Sequence, residues 1–396
     1  MAITPYSVAE LLNQNRPTIS TTVDLTLSEM SATGAMVRDG LFDPALLPFI
    51  ASPSYSTREV AWLKVKSFRP RIAHIRGVDG EVLMERNHVE LTKEDLGSIN
   101  ISDGAVWTES DYQRLDSLRM LGQDIQRQRE AYQELLDVFL QRPADLVLGI
   151  QQTWLLMALR TCVFGNPNYT DPRSGITYSV DYTGNIPAGH LATTLTGNNR
   201  WSQLSTATGI ANLVAHLNTY YESIKRFPAA IAMSRSMADN LRNQASTKTL
   251  VARNKGTITD GAAIVDTANL PKATLEDIRD VIATEITSTN TAMAAPEIIV
   301  TDAVYYNSAG TSSPFLPADY YCFLNPNQVE AARVPTLTAL KARATGGGLS
   351  AGGYTIIAKD SNDIPAKDTL KVDSAGMIIC PDPRLIGARN VEDTAA

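Results

Sequence analysis

Apolar residues in this chain recur with two periods, and the change between them divides it. From Thr108 onward, Leu115, Leu118, Leu121, Ile125, Tyr132, Leu135, Leu136 and Phe139 return at threes and fours. Gln123, Asp124, Gln126, Arg127, Gln128, Arg129, Glu130 and Gln133 lie between them. That is a narrow apolar stripe on one face of an amphipathic helix. Ser110 and Gln113 form a capping-box pair at its start. Pro143 is expected to end it near Gln141. Roughly 32 residues at 1.5 Å rise would span about 48 Å, more than an average domain core needs. A second helix, Asp145 to Phe164, carries Leu146, Leu148, Trp154, Leu155, Leu156 and Leu159, and Gly165 closes it.

Further on, Ile176, Tyr178, Val180 and Tyr182 alternate as a strand would. A helix from about Gly209 to Arg226 has the stripe Ile210, Leu213, Val214, Leu217, Tyr221 and Ile224, and Pro228 stops it. Ala229 to Met233 reads as a short strand, and Ser234 caps a helix to about Asn243. Residues 245–273 are polar, with Gly256, Gly261 and Pro271, and read as loop with a weak strand at 262–265. A helix from Thr274 to about Ile286 follows, then strands at 297–301, 320–324, 354–359 and 377–380. The glycine-rich run 344–353 reads as a flexible loop. Strands and helices mix in 201–365 without strict alternation, which points to an α+β fold.

The first third lacks helical period. Residues 1–58 are punctuated by Pro5, Pro17, Pro44, Pro48 and Pro53, yet carry Val23, Leu25, Leu27, Leu41, Phe42, Leu46, Leu47, Phe49 and Ile50. An irregular arm with apolar residues has to bury them, either on its own domain or on a neighbouring subunit. Residues 59–107 read as a long basic hairpin. Trp62, Val65, Phe68 and Ile72 lie among Arg58, Lys64, Lys66, Arg69, Arg71 and Arg76, with the turn dipeptide Asp79-Gly80 beyond.

Composition then removes whole classes. With 44% hydrophobic and 19% charged residues, 396 residues suit two or three folded units. Lys and Arg total 35 against 42 Asp and Glu, a net charge of -7. That is the wrong sign for a dedicated nucleic-acid reader. Three scattered cysteines, Cys162, Cys322 and Cys380, argue for a reducing compartment and for a role as small core residues. The start has no secretion-signal pattern and no run reaches membrane-span length, so a soluble cytoplasmic product is expected.

Chemistry is mostly missing. The glycine run does not end in Lys-Ser or Lys-Thr, and there is no G-x-S-x-G or H-E-x-x-H. His74, His88, His190 and His216 are scattered; His216 has a polar flank and reads as surface or interface. Glu81 with Glu85, and Asp360 with Asp363, are chance pairs in so acidic a chain, and Asp302 near Tyr305 and Tyr306 reads as a strand-end turn residue. No catalytic, metal or cofactor site is expected.

Several ordered segments resemble the major capsid proteins of tailed bacteriophages, specifically the lambda-like capsid protein E family with the Hong Kong 97-type fold. They are Trp154-Leu155-Leu156-Met157-Ala158-Leu159 up to Gly165, then Val180-Asp181-Tyr182; Trp201 before its helix, Pro228 and Met233-Ser234; and Pro296 to Asp302, Tyr305, Gly310 and Phe315-Leu316-Pro317. The resemblance implies an N-terminal arm at 1–58, an extended hairpin loop at 59–107 and a peripheral domain with a spine helix at 108–200. An axial domain at 201–365 and a return to the peripheral domain at 366–396 complete the implied order.

It also implies a shell of hexamers and pentamers around double-stranded DNA touched only weakly, with procapsid expansion, and a place in the virion after cytoplasmic assembly. Implied partners are a portal, a scaffold or protease, and a decoration protein, with no membrane. Intersubunit contacts would fall on Phe42 and Phe49 of the arm and on Trp62, Lys64, Lys66, Arg69, Arg71, Asp79 and Gly80 of the hairpin. Two other classes stay open: an encapsulin-like nanocompartment shell, and an α+β enzyme or ligand-binding protein.

Overall fold

The computed structural model describes residues 44–51, 61–65, 91–95, 99–108, 125–171, 175–256, 270–287, 295–306, 311–334, 336, 349–351, 354–359 and 367–392. After a 3-10 turn at Pro44–Phe49 come β1 (Ile50–Ala51), β2 (Ala61–Val65), β3 (Leu91–Asp95) and β4 (Ile99–Thr108). A long helix, α1 (Ile125–Phe164), leads to the short strands β5 (Tyr169–Thr170), β6 (Thr177–Tyr178) and β7 (Leu191–Ala192). Then follow α2 (Gly209–Ile224), β8 (Ala230–Ser234), α3 (Arg235–Asn243), α4 (Ala245–Asn254) and α5 (Leu275–Thr287). The chain continues through β9 (Glu297–Thr301), β10 (Val304–Tyr306), β11 (Ser312–Pro314), β12 (Tyr320–Leu324) and β13 (Val329–Val334). It closes with β14 (Leu349–Ala351), β15 (Tyr354–Lys359), β16 (Lys367–Ile379) and β17 (Ala388–Asn390).

Two sheets organise these elements. β16 is the axis of the first. One of its edges takes β4, from Lys367 opposite Thr108 to Gly376 opposite Ile99. Its other edge is shared: β15 pairs with residues 369–373 and β13 with 375–379. β14 extends β15, and β1 adds to β13 in parallel through Ile50 opposite Val329. The second sheet has the order β7-β17-β12-β8-β9, with β8 and β9 parallel.

The apolar half of α1 lies between the two sheets, and the sequence says why. Leu146, Val147, Ile150, Trp154, Leu155, Met157, Ala158, Leu159, Cys162 and Val163 are all buried, so this stretch is apolar on nearly every side. It shares a core with Leu370, Val372 and Ile378 of β16 and with Cys322 and Leu324 of β12. Tyr321 and Phe323, the alternate residues of β12, point into a second core with Leu213, Leu217, Leu241, Ile278 and Ile282 of α2, α3 and α5. A strand buried on both faces has to read as the continuous run Tyr-Tyr-Cys-Phe-Leu. By length and composition Asp145–Phe164 would also suit a membrane span, but 72% of its most apolar window is buried inside the protein.

Much of the expected order holds. α2, β8, α5, β9, β12 and β15 fall within a few residues of their predicted positions. Ser234 is the N-cap of α3, its side chain accepting from the Met237 N–H. All three cysteines are buried free thiols, and burial pushes the Cys322 thiol up to about 12.

Several expectations fail, each for a physical reason. Pro143 does not end the helix: α1 is one element of 40 residues. A proline removes one backbone hydrogen bond and crowds one carbonyl, at about 3 kcal/mol. The burial of ten or so large side chains just beyond it outweighs that penalty. Residues 245–254, read as loop, are the helix α4. It has no apolar stripe to advertise it, and only Thr247, Val251 and Ala252 are buried. The strand expected over 176–182 is only β6, and part of the glycine-rich segment is not loop but the strand β14.

The strand expected at 377–380 is β16 and starts ten residues earlier, because Lys371, Asp373 and Ser374 hide its apolar alternation. β4, grouped with the hairpin by its sequence, pairs along β16 instead. β13 and β15 also belong to the β16 sheet, whereas the terminal β17 joins β12 in the other one. His216 is not on the surface but 3% exposed, its ring bonded on both nitrogens inside the second core. The turn at Asp79-Gly80, the helix start at 108–124 and the strand at 262–265 lie outside the described residues.

Candidate functional site

Two N-terminal segments were expected to carry contacts, and they behave differently. Leu46, Phe49 and Ile50 are buried in the core around α1. β1 pairs with β13, and the Gln328 N–H donates to the Phe49 carbonyl at 3.2 Å. Phe49, expected at a subunit contact, is therefore a core residue of its own chain. Burial within one chain avoids the translational and rotational entropy that a second subunit would lose. Phe42 lies outside the described residues.

The hairpin is different. β2 and β3 pair antiparallel, with Trp62 opposite Glu94 and Lys64 opposite Thr92. Among the described residues this two-stranded ribbon joins neither large sheet. Lys66, Arg69, Arg71, Asp79 and Gly80 fall between its strands in sequence, outside the described residues. An isolated two-stranded ribbon is marginal in water and needs a surface to lie on.

Side chains with no site role in the sequence pattern lock the β16 sheet to its surroundings. β4 stops opposite Gly376, so β16 runs on past its partner. There the Tyr178 hydroxyl accepts from the Ile378 N–H at 3.0 Å, and the Tyr182 hydroxyl donates to the Ile378 carbonyl at 2.9 Å. The two tyrosines stand where a strand would be. Burial raises the Tyr178 phenol above its usual value. A second lock ties α1 to the same sheet: Gln151 Oε1 accepts from Arg333 at 2.6 Å and from the Tyr354 hydroxyl at 2.5 Å. The Arg333 guanidinium lies 4.9 Å from the Tyr354 ring centroid. Burial pushes the Tyr354 phenol up to about 12.

The signal for these residues in the sequence was slight. Tyr178 and Tyr182 read only as alternate strand residues, and no sequence pattern marks Gln151. Among the described residues, no group of three or more His, Cys, Asp or Glu side chains could hold a metal ion.

No protein-family model matches the chain, and no curated protein matches it. Solved structures do. A protein assigned as the capsid protein of a prophage of E. coli CFT073 superposes with a TM-score of 0.50 at 14% identity, covering 94% of this chain and 98% of the other. A phage-related protein of Bordetella bronchiseptica RB50 has a TM-score of 0.46 at 11% identity, over 96% and 98% of the two chains. The capsid chain of cyanophage A-1(L) has a TM-score of 0.43 at 13% identity, over 92% and 97%. At such identities the likeness is one of fold. The chain shares the mixed helix-and-sheet fold of the prophage protein over 94% of its length.

Proposed function

We propose that this protein is a capsid shell subunit that associates with copies of itself into the hexamers and pentamers of an icosahedral phage head around double-stranded DNA. The observation that carries this is the near-complete correspondence with the prophage capsid fold, 94% of one chain on 98% of the other. The ribbon β2–β3 supports it, because such an element finds its burial on another body. The role is structural and not enzymatic, and the working location is the virion.

In this reading the ribbon overlies a neighbouring subunit, and Trp62, Lys64, Lys66, Arg69, Arg71, Asp79 and Gly80 make intersubunit contacts. The β16 sheet with α1 serves as the peripheral part, and the β12 sheet with α2 to α5 as the axial part that meets its copies at the symmetry axes. Many modest repeated contacts close the shell. The net charge of -7 keeps the packaged DNA mobile against the wall. A portal, a scaffold or protease and a decoration protein are the expected partners, and the shell expands from a procapsid. Denaturing electrophoresis of purified particles tests whether the shell is noncovalent: a single-chain band is expected, and a ladder contradicts it. Deletion of residues 66–90 tests the ribbon: assembly should be lost while the thermal transition of the body stays.

A further inference from the structure

Residues 385–391 cross from the β16 sheet to the β12 sheet, and a chain of hydrogen bonds with one fixed direction holds them there. His216 of α2 has both ring nitrogens engaged: Nε2 lies 2.9 Å from the His190 carbonyl oxygen and Nδ1 lies 2.8 Å from the Tyr321 hydroxyl. A carbonyl only accepts, so Nε2 carries the proton and Nδ1 takes the hydrogen of Tyr321. Arg389 of β17 hydrogen-bonds the Tyr321 oxygen, and its Nε donates to the Thr193 carbonyl at 2.9 Å. His190 Nδ1 lies 3.2 Å from the Ile386 carbonyl and donates to it, while the His190 carbonyl also accepts from the Ala388 N–H at 3.0 Å. Tyr220 stacks on the His190 ring at 4.8 Å and donates to the Leu385 carbonyl at 3.1 Å.

We propose that His216, bonded to the His190 carbonyl and the Tyr321 hydroxyl, is the protonation-sensitive part of a latch that holds the last strand, Ala388–Asn390, on the five-stranded sheet. A second proton on His216 can sit only on Nδ1, where it faces the Tyr321 oxygen. The Tyr321 hydrogen must then turn away from its acceptor in a fully buried site, with the Arg389 charge beside it. Groups facing the pair from each packed element are Tyr220 on α2, Tyr321 on β12, Arg389 on β17, and Asp382 and Arg384 in the turn before residue 385. Asp382 is already paired to Arg384 through both oxygens, at 2.8 and 2.9 Å. The new charge therefore meets cations and no free carboxylate among these groups. The relay opens at Tyr321, the shared acceptor at the His190 carbonyl loses its place, and residues 385–391 come away. The β16 sheet and α1 share none of these bonds and stay closed.

Hydrogen–deuterium exchange on the full chain tests the latch, at neutral pH and at about pH 4.5, corrected for intrinsic rates. At the lower pH, peptides over 385–391 should lose protection by about tenfold or more while peptides over 146–163 keep theirs. His216→Gln, which keeps a neutral donor towards His190, should hold its protection at both pH values. Loss at the same pH in that variant overturns the latch, as does simultaneous loss over both regions in the native chain. If the variant does not fold, ¹⁵N-histidine NMR of the native chain decides. The His216 titration must coincide with the release of 385–391, and separate midpoints contradict the latch.

Discussion

Tyr182 and Ile378 are 196 residues apart in sequence and joined by a hydrogen bond of 2.9 Å from the phenol to the backbone carbonyl. With Tyr178 on the amide of the same residue, the pair completes the edge of β16 where β4 ends. Tyr182→Phe should lower stability by about 1–2 kcal/mol, since it strands a buried carbonyl while leaving the ring packed. Tyr178→Phe should lower it by at least as much, because an orphaned buried N–H is rarer and harder to satisfy than an orphaned carbonyl. Urea denaturation curves for the two variants measure this. Midpoints equal to the native one would show that the clamp is not stabilising.

Gly376 tests the packing of α1 on β16. A methyl group there would meet the Ala332 carbonyl oxygen and the Trp154 ring at 3.0 and 3.1 Å. The oxygen belongs to a paired strand and cannot move aside. Gly376→Ala should reduce stability by about 2–3 kcal/mol, as overpacking does. Gly184→Ala, where a methyl group meets nothing within 4 Å, is the control and should be close to neutral. Equal thermal midpoints for the two variants would contradict this account of the contact.

What the sequence revealed follows from where burial is one-sided. α2 and α5 sit on the second core with one face, so Leu213, Leu217, Ile278 and Ile282 repeat at helical spacing and were legible. β12, buried on both faces, was legible as an apolar run. Elements held by polar contacts were not. β16 hides its period behind Lys371, Asp373 and Ser374, and α4 has too few apolar residues for a stripe. Phe49 shows the other limit: an apolar residue in an arm says that it is buried, but not on which chain. His216 shows it again, since its polar flank gave no hint that Tyr321 and the His190 carbonyl would satisfy the ring inside a core.

His216 also gives the fold an acid dependence of known sign. Burial, partly opposed by its bond to the His190 carbonyl, holds the imidazole at about 4, below its usual 6.5. The unfolded chain therefore binds a proton before the folded one does. Its contribution is fully present above pH 6.5 and is lost as the pH falls from 6.5 towards 4. The total is of order 3 kcal/mol, from 2.5 pH units at about 1.4 kcal/mol each. Denaturant midpoints collected across this range should fall with acid in the native chain and fall less in His216→Gln. Parallel slopes would mean that the dependence lies elsewhere.

Ser234 joins the end of β8 to the start of α3. Its hydroxyl donates to the Ala318 carbonyl at 2.7 Å and accepts from the Met237 N–H at 3.3 Å. Ser234→Ala removes the cap and a buried partner together, and should lower stability by about 1–2 kcal/mol, with Ser234→Thr recovering most of it. Calorimetric midpoints of the three proteins decide this; failure of threonine to recover the loss would contradict the capping role.

The claim that this chain is made to build a closed shell is tested most directly by electron microscopy of the purified full-length protein, with its mass distribution measured by analytical ultracentrifugation. The account predicts closed shells, or rings of five and six subunits that form as concentration rises. A species that keeps the mass of one chain at every concentration, with the β2–β3 ribbon protected against its own body, would contradict it.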